Sequence, residues 1–312
     1  MAGAAAAVAC DACGAALSPF IRHCGRMASS AAMNRTFTFL LLCMACALAA
    51  ARTPGREAIE GSPPALPEGV ELAALITDAR LSEISGLAVS RRHPGILWVH
   101  NDSHDANALY AIDRRGVVRA TVQLPVPNID WEDIASFERD GRAWLLLADT
   151  GDNGGLRKEL ALHLFEEPEA LDDLDLPAAA LRTIRFRWPD GARDCEAVAV
   201  DAAEGAAYLV GKKRSPPDLF RLPLWSSSDV PEPLRADRIG MLAGIVPPTP
   251  EDLARSPVYG KYRAQITAAD ISADGSHFAV MSYLHLYLWP RPPQGWARAL
   301  AQPPGQLDLP WM

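Results

Sequence analysis

This 312-residue sequence has few cysteines outside its N-terminus, no excess of positive charge and none of the common catalytic motifs. Five of its six cysteines lie within the first 46 residues, so Cys195 alone remains beyond them and no disulfide can form inside the rest of the chain. Lys and Arg number 30 against 38 Asp and Glu, a formal net charge of −8, which argues against a nucleic-acid binder. No G-x-S-x-G elbow, Walker glycine loop or H-E-x-x-H is found, which excludes the common serine hydrolases, P-loops and zincins.

The N-terminus has the features of a targeting segment. From Met33 a short charged region leads into an apolar run from Phe37 to Ala51, too short for a comfortable membrane span, with alanines suited to cleavage after Ala49 or Ala51. We therefore interpret residues 33–51 as a signal peptide, residues 1–32 as an upstream extension outside the fold, and the protein as secreted or periplasmic.

The N-terminal cysteines allow two other interpretations. Lipid attachment at Cys46 is disfavoured because residues 43–45 lack the usual leucine. A zinc site at Cys10-x-x-Cys13 and Cys24 is disfavoured because a second spaced pair of cysteines is missing.

Residues 79–312 show the pattern of one all-β domain, preceded by a Pro- and Gly-rich linker or entry segment at residues 52–78. Short apolar runs alternate with turn signals, and groups of about four such runs recur. The groups begin near four acids spaced 49, 64 and 74 residues apart: Glu83, Glu132, Glu196 and Asp270. Repeated four-stranded antiparallel meanders predict a β-propeller, with a β-sandwich as the alternative. A helix is predicted at Thr249, within residues 223–265 that otherwise depart from the pattern.

Several stretches carry a resemblance to a known family. They are residues 83–88, 97–103, 130–135, 151–153 and 194–197, and they resemble an uncharacterised family of secreted bacterial β-propeller proteins over about residues 80–290. More distantly, the acid-bearing strand starts are similar to those of β-propeller phytases and phytase-like esterase domains. That resemblance implies calcium in or near the central channel and, in the phytases, hydrolysis of phosphate esters. The resemblance also implies a further blade that closes the ring after the last predicted strands. A propeller that is incomplete at the C-terminus is therefore an alternative.

Carboxylates and amides at the predicted strand ends are candidates for a calcium site. Innermost propeller strands line the channel, so acids at their starts would face the axis, and like charges gathered there favour a bound hard cation. Calcium takes about six to eight oxygen ligands from such groups. The candidate ligands are Glu83, Asn101, Asp102, Asp130, Glu132, Asp149, Asp152, Asn153 and Glu196. A simpler interpretation is that they cap strand ends and tight turns, where these residue types are common.

Other polar and aromatic residues are ambiguous. Lys212 and Lys213 could bind the oxygens of an anionic substrate, or form a solvated loop. His100 and His104 could supply a base or a metal ligand, although turn composition explains them better. The tryptophans are expected to pack between blades, and Trp131, beside the acids, could floor a pocket.

Two functional hypotheses follow from these patterns. The first is a secreted binding or scaffold module with an acidic, calcium-binding funnel and an unknown ligand or protein partner. The second is a metal-dependent hydrolase, either a phytase-like phosphoesterase or a lactonase-type esterase. We expect a monomer without a membrane span in its mature form. Fold alone does not decide between the hypotheses.

Overall fold

In a computed structural model of the chain, the described residues form twenty-one strands and two short α-helices. The structure describes residues 70–103, 105–225 and 233–309 in full, and the backbone of residues 5–9 and 16–17. The chain divides into two units, residues 1–22 with 66–312 and residues 23–65, and the described residues all belong to the first. The predicted signal peptide at 33–51 and His104 lie outside the described residues.

The elements follow one another in this order: β1 (Ala5–Ala9), β2 (Ala16–Leu17), β3 (Glu71–Ile76), β4 (Ile84–Val89), β5 (Ile96–Asn101), β6 (Ala108–Asp113), β7 (Val118–Gln123), β8 (Trp131–Arg139), β9 (Arg142–Asp149), β10 (Leu160–Glu166), β11 (Leu174–Asp175), β12 (Arg182–Arg187), β13 (Cys195–Asp201), β14 (Ala206–Gly211), β15 (Asp218–Pro223), β16 (Leu234–Arg235), β17 (Asp237–Met241), α1 (Pro250–Arg255), β18 (Ile266–Ile271), β19 (His277–Ser282), β20 (His285–Pro290), α2 (Trp296–Leu300) and β21 (Gly305–Asp308). Single 3₁₀ turns lie at Ala178–Ala180 and Gly260–Tyr262.

Four antiparallel blades form a β-propeller, as the sequence predicted. Blade 1 is β4-β5-β6-β7, blade 2 is β8-β9-β10-β12, blade 3 is β13-β14-β15-β17 and blade 4 is β18-β19-β20-β21. The short strands β11 and β16 add in parallel to the outer strands of blades 1 and 2. The inner strands β4, β8, β13 and β18 pack side by side in that order.

Apolar clusters join each of the four blades to the next along the chain. Trp98, Trp131 and Phe165 are buried between blades 1 and 2, Phe186 and Phe220 between blades 2 and 3. Phe278 and Trp296 are among the buried residues between blades 3 and 4. Trp131 thus belongs to the interblade packing expected of the tryptophans, and because it is fully buried it does not line an open pocket.

Residues 223–265 hold both a missed strand and the predicted helix. The fourth strand of blade 3, β17, lies there and pairs with β15. The helix α1 begins as predicted: the Thr249 side chain accepts from the Asp252 N–H, and the Asp252 carboxylate accepts from the Thr249 N–H. Similarly, β3 lies within the predicted linker and pairs with β1, from the predicted upstream extension.

Candidate functional site

A β-bulge at the second residue of every inner strand builds the centre of one end of the propeller. The pairing register shifts between Ile84 and Gly86 in β4, and at the equivalent place in β8, β13 and β18. A bulge leaves one residue outside the ladder and redirects its side chain. The four residues so placed are polar and buried: Ser85, Glu132, Glu196 and Thr267.

This common bulge corrects the phasing of the repeat. The equivalent of Glu132 in blade 1 is Ser85 and in blade 4 is Thr267, whereas the sequence pattern suggested Glu83 and Asp270. The Glu83 side chain is exposed at the chain's approach to β4, and Asp270 lies further along β18. Two of the four equivalent positions, in blades 2 and 3, therefore carry an acid.

Five carboxylates converge on these two bulges. Asp102, Asp130 and Glu132 offer oxygens that all lie within 4.8 Å of one another, and so do Glu132, Asp194 and Glu196. We call these the first and second carboxylate groups. They share Glu132, which is buried, as are Asp194 and Glu196, while Asp102 and Asp130 are half-buried. The structure thus brings together four of the candidate ligands and adds Asp194.

Gly151 packs directly against the first group. Its N–H donates to the Asp130 carbonyl oxygen at 3.1 Å. A Cβ at this position would lie 2.3 Å from the Asp130 carboxyl carbon and 2.4 Å from Glu132 Oε1, far inside van der Waals contact. The loop after β9 can approach the two carboxylates only because residue 151 lacks a side chain.

The negative charge of the first carboxylate group is destabilised by its surroundings. Burial raises the pKa of Asp130, and the neighbouring charges of Asp102 and Asp194 raise it further, while Arg157 and Ser103 act in the opposite direction. A raised carboxylate pKa means that the ionised form is destabilised where it stands. A cation bound between Asp102, Asp130 and Glu132 would relieve that destabilisation.

Two lysines from the β14–β15 loop neutralise the second group. The buried Lys212 Nζ contacts Glu196 directly and lies 3.7 Å from Asp194 Oδ2. Lys213 Nζ lies 3.1 Å from the same Asp194 oxygen, and also donates to the Asn153 carbonyl and amide oxygens. The lysines predicted to bind substrate therefore lie at the site, paired with acids of the second group.

The remaining candidates from the β9–β10 loop shape the loop itself. Asp152 accepts from the N–H groups of Leu156 and Arg157, and its own N–H donates to Asp194. Asp149 pairs with the Arg157 guanidinium at 2.8 Å. Burial alone would raise the pKa of Asp149, but the neighbouring His163 ring and the Arg157 guanidinium lower it. These acids already have protein donors.

Asn101 and His100 also have structural partners. The Asn101 amide donates to Asp105 Oδ2 at 2.7 Å and to the Arg80 carbonyl oxygen at 2.6 Å. His100 is buried against the edge of Trp131, and its Nδ1 lies 2.9 Å from the Asn101 carbonyl oxygen. Burial lowers the pKa of His100 to about 4, so the ring is neutral at pH 7.

Two acids at the centre were missing from the sequence-based candidates. Asp194 repeats the spacing of Asp130, two residues before a bulge glutamate, and this Asp-x-Glu repeat could have identified it. The buried Asp133 ties three inner strands together: its carboxylate accepts from the N–H groups of Ile134, Val198 and Ala269. Nothing in local sequence indicates the last role, because the donors lie 65 and 136 residues away.

Comparisons with known proteins extend the likeness only to the fold. No protein-family model and no curated protein matches the chain. A solved structural genomics protein of unknown function from Bacteroides thetaiotaomicron is 12% identical with a TM-score of 0.40, over 70% of this chain and 43% of that one. The Dos1 propeller is 12% identical with a TM-score of 0.36, over 77% of this chain and 51% of that one. A chain of a nidogen/laminin complex is 10% identical with a TM-score of 0.41, over 77% of this chain and 69% of that one. This chain spans about half or less of the first two proteins.

Proposed function

We propose that this protein is a calcium-binding β-propeller module, in which Asp102, Asp130 and Glu132 hold the ion. The observation that carries the proposal is the gathering of Asp102, Asp130 and Glu132, whose carboxylate oxygens all lie within 4.8 Å of one another. Burial and the charges of Asp102 and Asp194 raise the pKa of Asp130, which reflects an unfavourable accumulation of negative charge at this end. A hard cation with a preference for carboxylate oxygens offsets it.

The first group is the better place for the ion. Lys212 and Lys213 already supply positive charge to Asp194 and Glu196, whereas Asp102 and Asp130 are half-buried and open to solvent. Asp102 follows the last residue of β5, and Glu132 is the bulge residue of β8. An ion there would join blade 1 to blade 2, and solvent access would let a ligand or partner protein contact the ion.

Equilibrium dialysis of the full chain against calcium tests this proposal. We expect saturable binding that Glu132→Gln weakens at least about tenfold, because a charged ligand shared by both groups is lost; tenfold is about 1.4 kcal/mol. Glu83→Gln is the matched control, since Glu83 is an exposed acid near the start of β4 and lies in neither group. Equal affinity in both variants, or an absence of saturable binding, would contradict the proposal.

A metal-dependent hydrolase, phosphoesterase or lactonase-type, is the second candidate. The observation in its favour is that Lys213, 43% exposed, and Arg157 lie beside the carboxylate groups, where they could bind the oxygens of an anionic ester. Calcium-dependent turnover of 4-nitrophenyl phosphate or of a simple lactone, lost in Glu132→Gln, would favour this function. Calcium binding without turnover of either would favour the module.

A secreted or periplasmic location completes the proposal, and it rests on the sequence of residues 33–51 alone. Among the described residues no helix is long and apolar enough to span a membrane. N-terminal sequencing of the protein purified from its host tests the location, with a mature start at Arg52 or Ala50 expected after cleavage at the predicted alanines. An N-terminus upstream of Met33 would contradict it.

A further inference from the structure

Three arginines surround one buried aspartate at the edge of blade 3. Asp218, the first residue of β15, is buried. Its Oδ2 lies 2.7 Å from Arg193 and 3.2 Å from Arg214, and its Oδ1 lies 2.5 Å from Arg238. The arginines come from three places in the chain: the approach to β13, the β14–β15 loop, and β17.

The positive charge of this cluster exceeds its negative charge. Besides Asp218, the carboxylate that pairs with the cluster is Asp190, which contacts Arg193. Among the residues that the structure describes, three guanidinium groups therefore face two carboxylates. The Arg193 side chain is 9% exposed and stacks on Phe220 and Trp188, with its guanidinium carbon 4.6 and 5.4 Å from the ring centres. Its buried Nε has no hydrogen-bond acceptor among the described residues.

Unused donors of the cluster point to a ligand that accepts hydrogen bonds. Each guanidinium carries five N–H groups. Asp218 Oδ1 accepts from Nε and one amino group of Arg238, and Oδ2 accepts from one amino group of Arg193 and pairs with one of Arg214. The side chains of Arg214 and Arg238 are 60% and 42% exposed, so their remaining N–H groups are accessible. Asp218 occupies one edge of the Arg238 guanidinium and one amino group of Arg214, so other N–H groups of both arginines remain for an oxyanion, which arginine can bind in a bidentate manner.

We propose that Arg214 and Arg238 form a binding site for an oxyanion, the carboxylate or phosphate group of a ligand. The site is independent of the calcium proposal, because none of its residues belongs to either carboxylate group. With a net charge of −8 the protein as a whole repels anions, so a ligand of this class is drawn to the place where cations are concentrated. Asp218 and the stacked Arg193 hold the site in place before the ligand arrives.

Calorimetric titration of the full chain tests the proposal, at low ionic strength and after divalent cations have been removed by dialysis. Inorganic phosphate and glutarate are the two probes. We expect saturable binding of at least one of them, weakened at least about tenfold by Arg214→Gln and by Arg238→Gln, since a charge-assisted hydrogen-bond pair is lost. Binding of phosphate alone would assign the ligand's group as a phosphate, and binding of glutarate alone as a carboxylate.

Arg115→Gln is the matched control. Arg115 is an exposed arginine paired with Asp113 in blade 1. Its replacement removes one positive charge, as the test variants do, but at a position distant in sequence from the arginine cluster. The Arg214 side chain is 60% exposed, so its replacement leaves the core intact. Binding to Arg214→Gln can therefore be measured even if Arg238→Gln folds poorly. Absence of saturable binding of both probes, or equal binding by Arg214→Gln and Arg115→Gln, would overturn the proposal.

Discussion

Replacing Asp133 by alanine should destabilise the whole propeller. The Asp133 carboxylate is 2% exposed and accepts from Val198 N–H at 2.8 Å and from Ala269 N–H at 3.3 Å. Those donors belong to β13 and β18, so a side chain of β8 connects three of the four inner strands. In Asp133→Ala both N–H groups lose this acceptor inside the protein, at about 1–3 kcal/mol each. We expect the free energy of unfolding to fall by about 2–6 kcal/mol.

Asparagine at the same position should be milder. One amide oxygen can still accept from Val198 and Ala269, while the amide nitrogen would face the Ile134 N–H, whose acceptor is now Asp133 Oδ1 at 2.9 Å. Urea unfolding followed by tryptophan fluorescence measures all three proteins, with Asp172→Ala as the control at an exposed acid. A loss below about 1 kcal/mol in Asp133→Ala would refute the reasoning, since it would mean that these hydrogen bonds contribute little.

Three further predictions concern the same end of the propeller. Lys212→Met removes the ammonium group that pairs with the buried Glu196 and Asp194, and should lower the free energy of unfolding by about 3–5 kcal/mol, measured by urea unfolding. A loss under about 1 kcal/mol would contradict the assigned pairing. Gly151→Ala places a Cβ 2.3 Å from the Asp130 carboxyl carbon and should weaken calcium binding at least about tenfold with an unchanged circular dichroism spectrum; unchanged affinity would count against the site. Burial raises the pKa of Asp270 to about 6, above its unfolded value of about 3.9, so its stabilising contribution is complete below about pH 4 and lost as the pH rises through 6. Asp270→Asn should therefore nearly equal the wild type in stability at pH 4 and exceed it by up to about 3 kcal/mol at pH 7, and a difference independent of pH would contradict the prediction.

The fold was predictable because its signals are local. Alternating apolar runs and glycine turns identified most strands of the four blades, and the Thr249 capping residues identified α1. The fourth strands of blades 3 and 4 were missed. β17 is largely exposed and lacks an apolar alternation, and β21 is a four-residue strand after a Pro-Pro pair. Such strands form because their blade supplies a partner, which is tertiary information.

The site was predictable in part for the same reason. Glu132, Glu196, Asp102 and Asp130 stand at strand ends that a propeller brings to one place, so residue type and position together indicated them. The bulge that places Glu132 and Glu196 has no local signature, which explains why Glu83 was taken as their equivalent. The pairing of Asp152 with backbone N–H groups, and of Lys212 with Glu196, depends on contacts between segments that only the folded chain defines.

Thermal unfolding of the full chain in calcium and in chelator tests the central claim most directly. A ligand that binds only the folded state stabilises it by mass action, by about 2.7 kcal/mol at a hundred times its dissociation constant. We expect a melting temperature that rises with calcium concentration in the wild type and in Glu83→Gln, and that needs at least about tenfold more calcium for the same rise in Glu132→Gln. An equal melting temperature of the wild type in calcium and in chelator would contradict it, and the carboxylates would then be assigned to strand ends and turns.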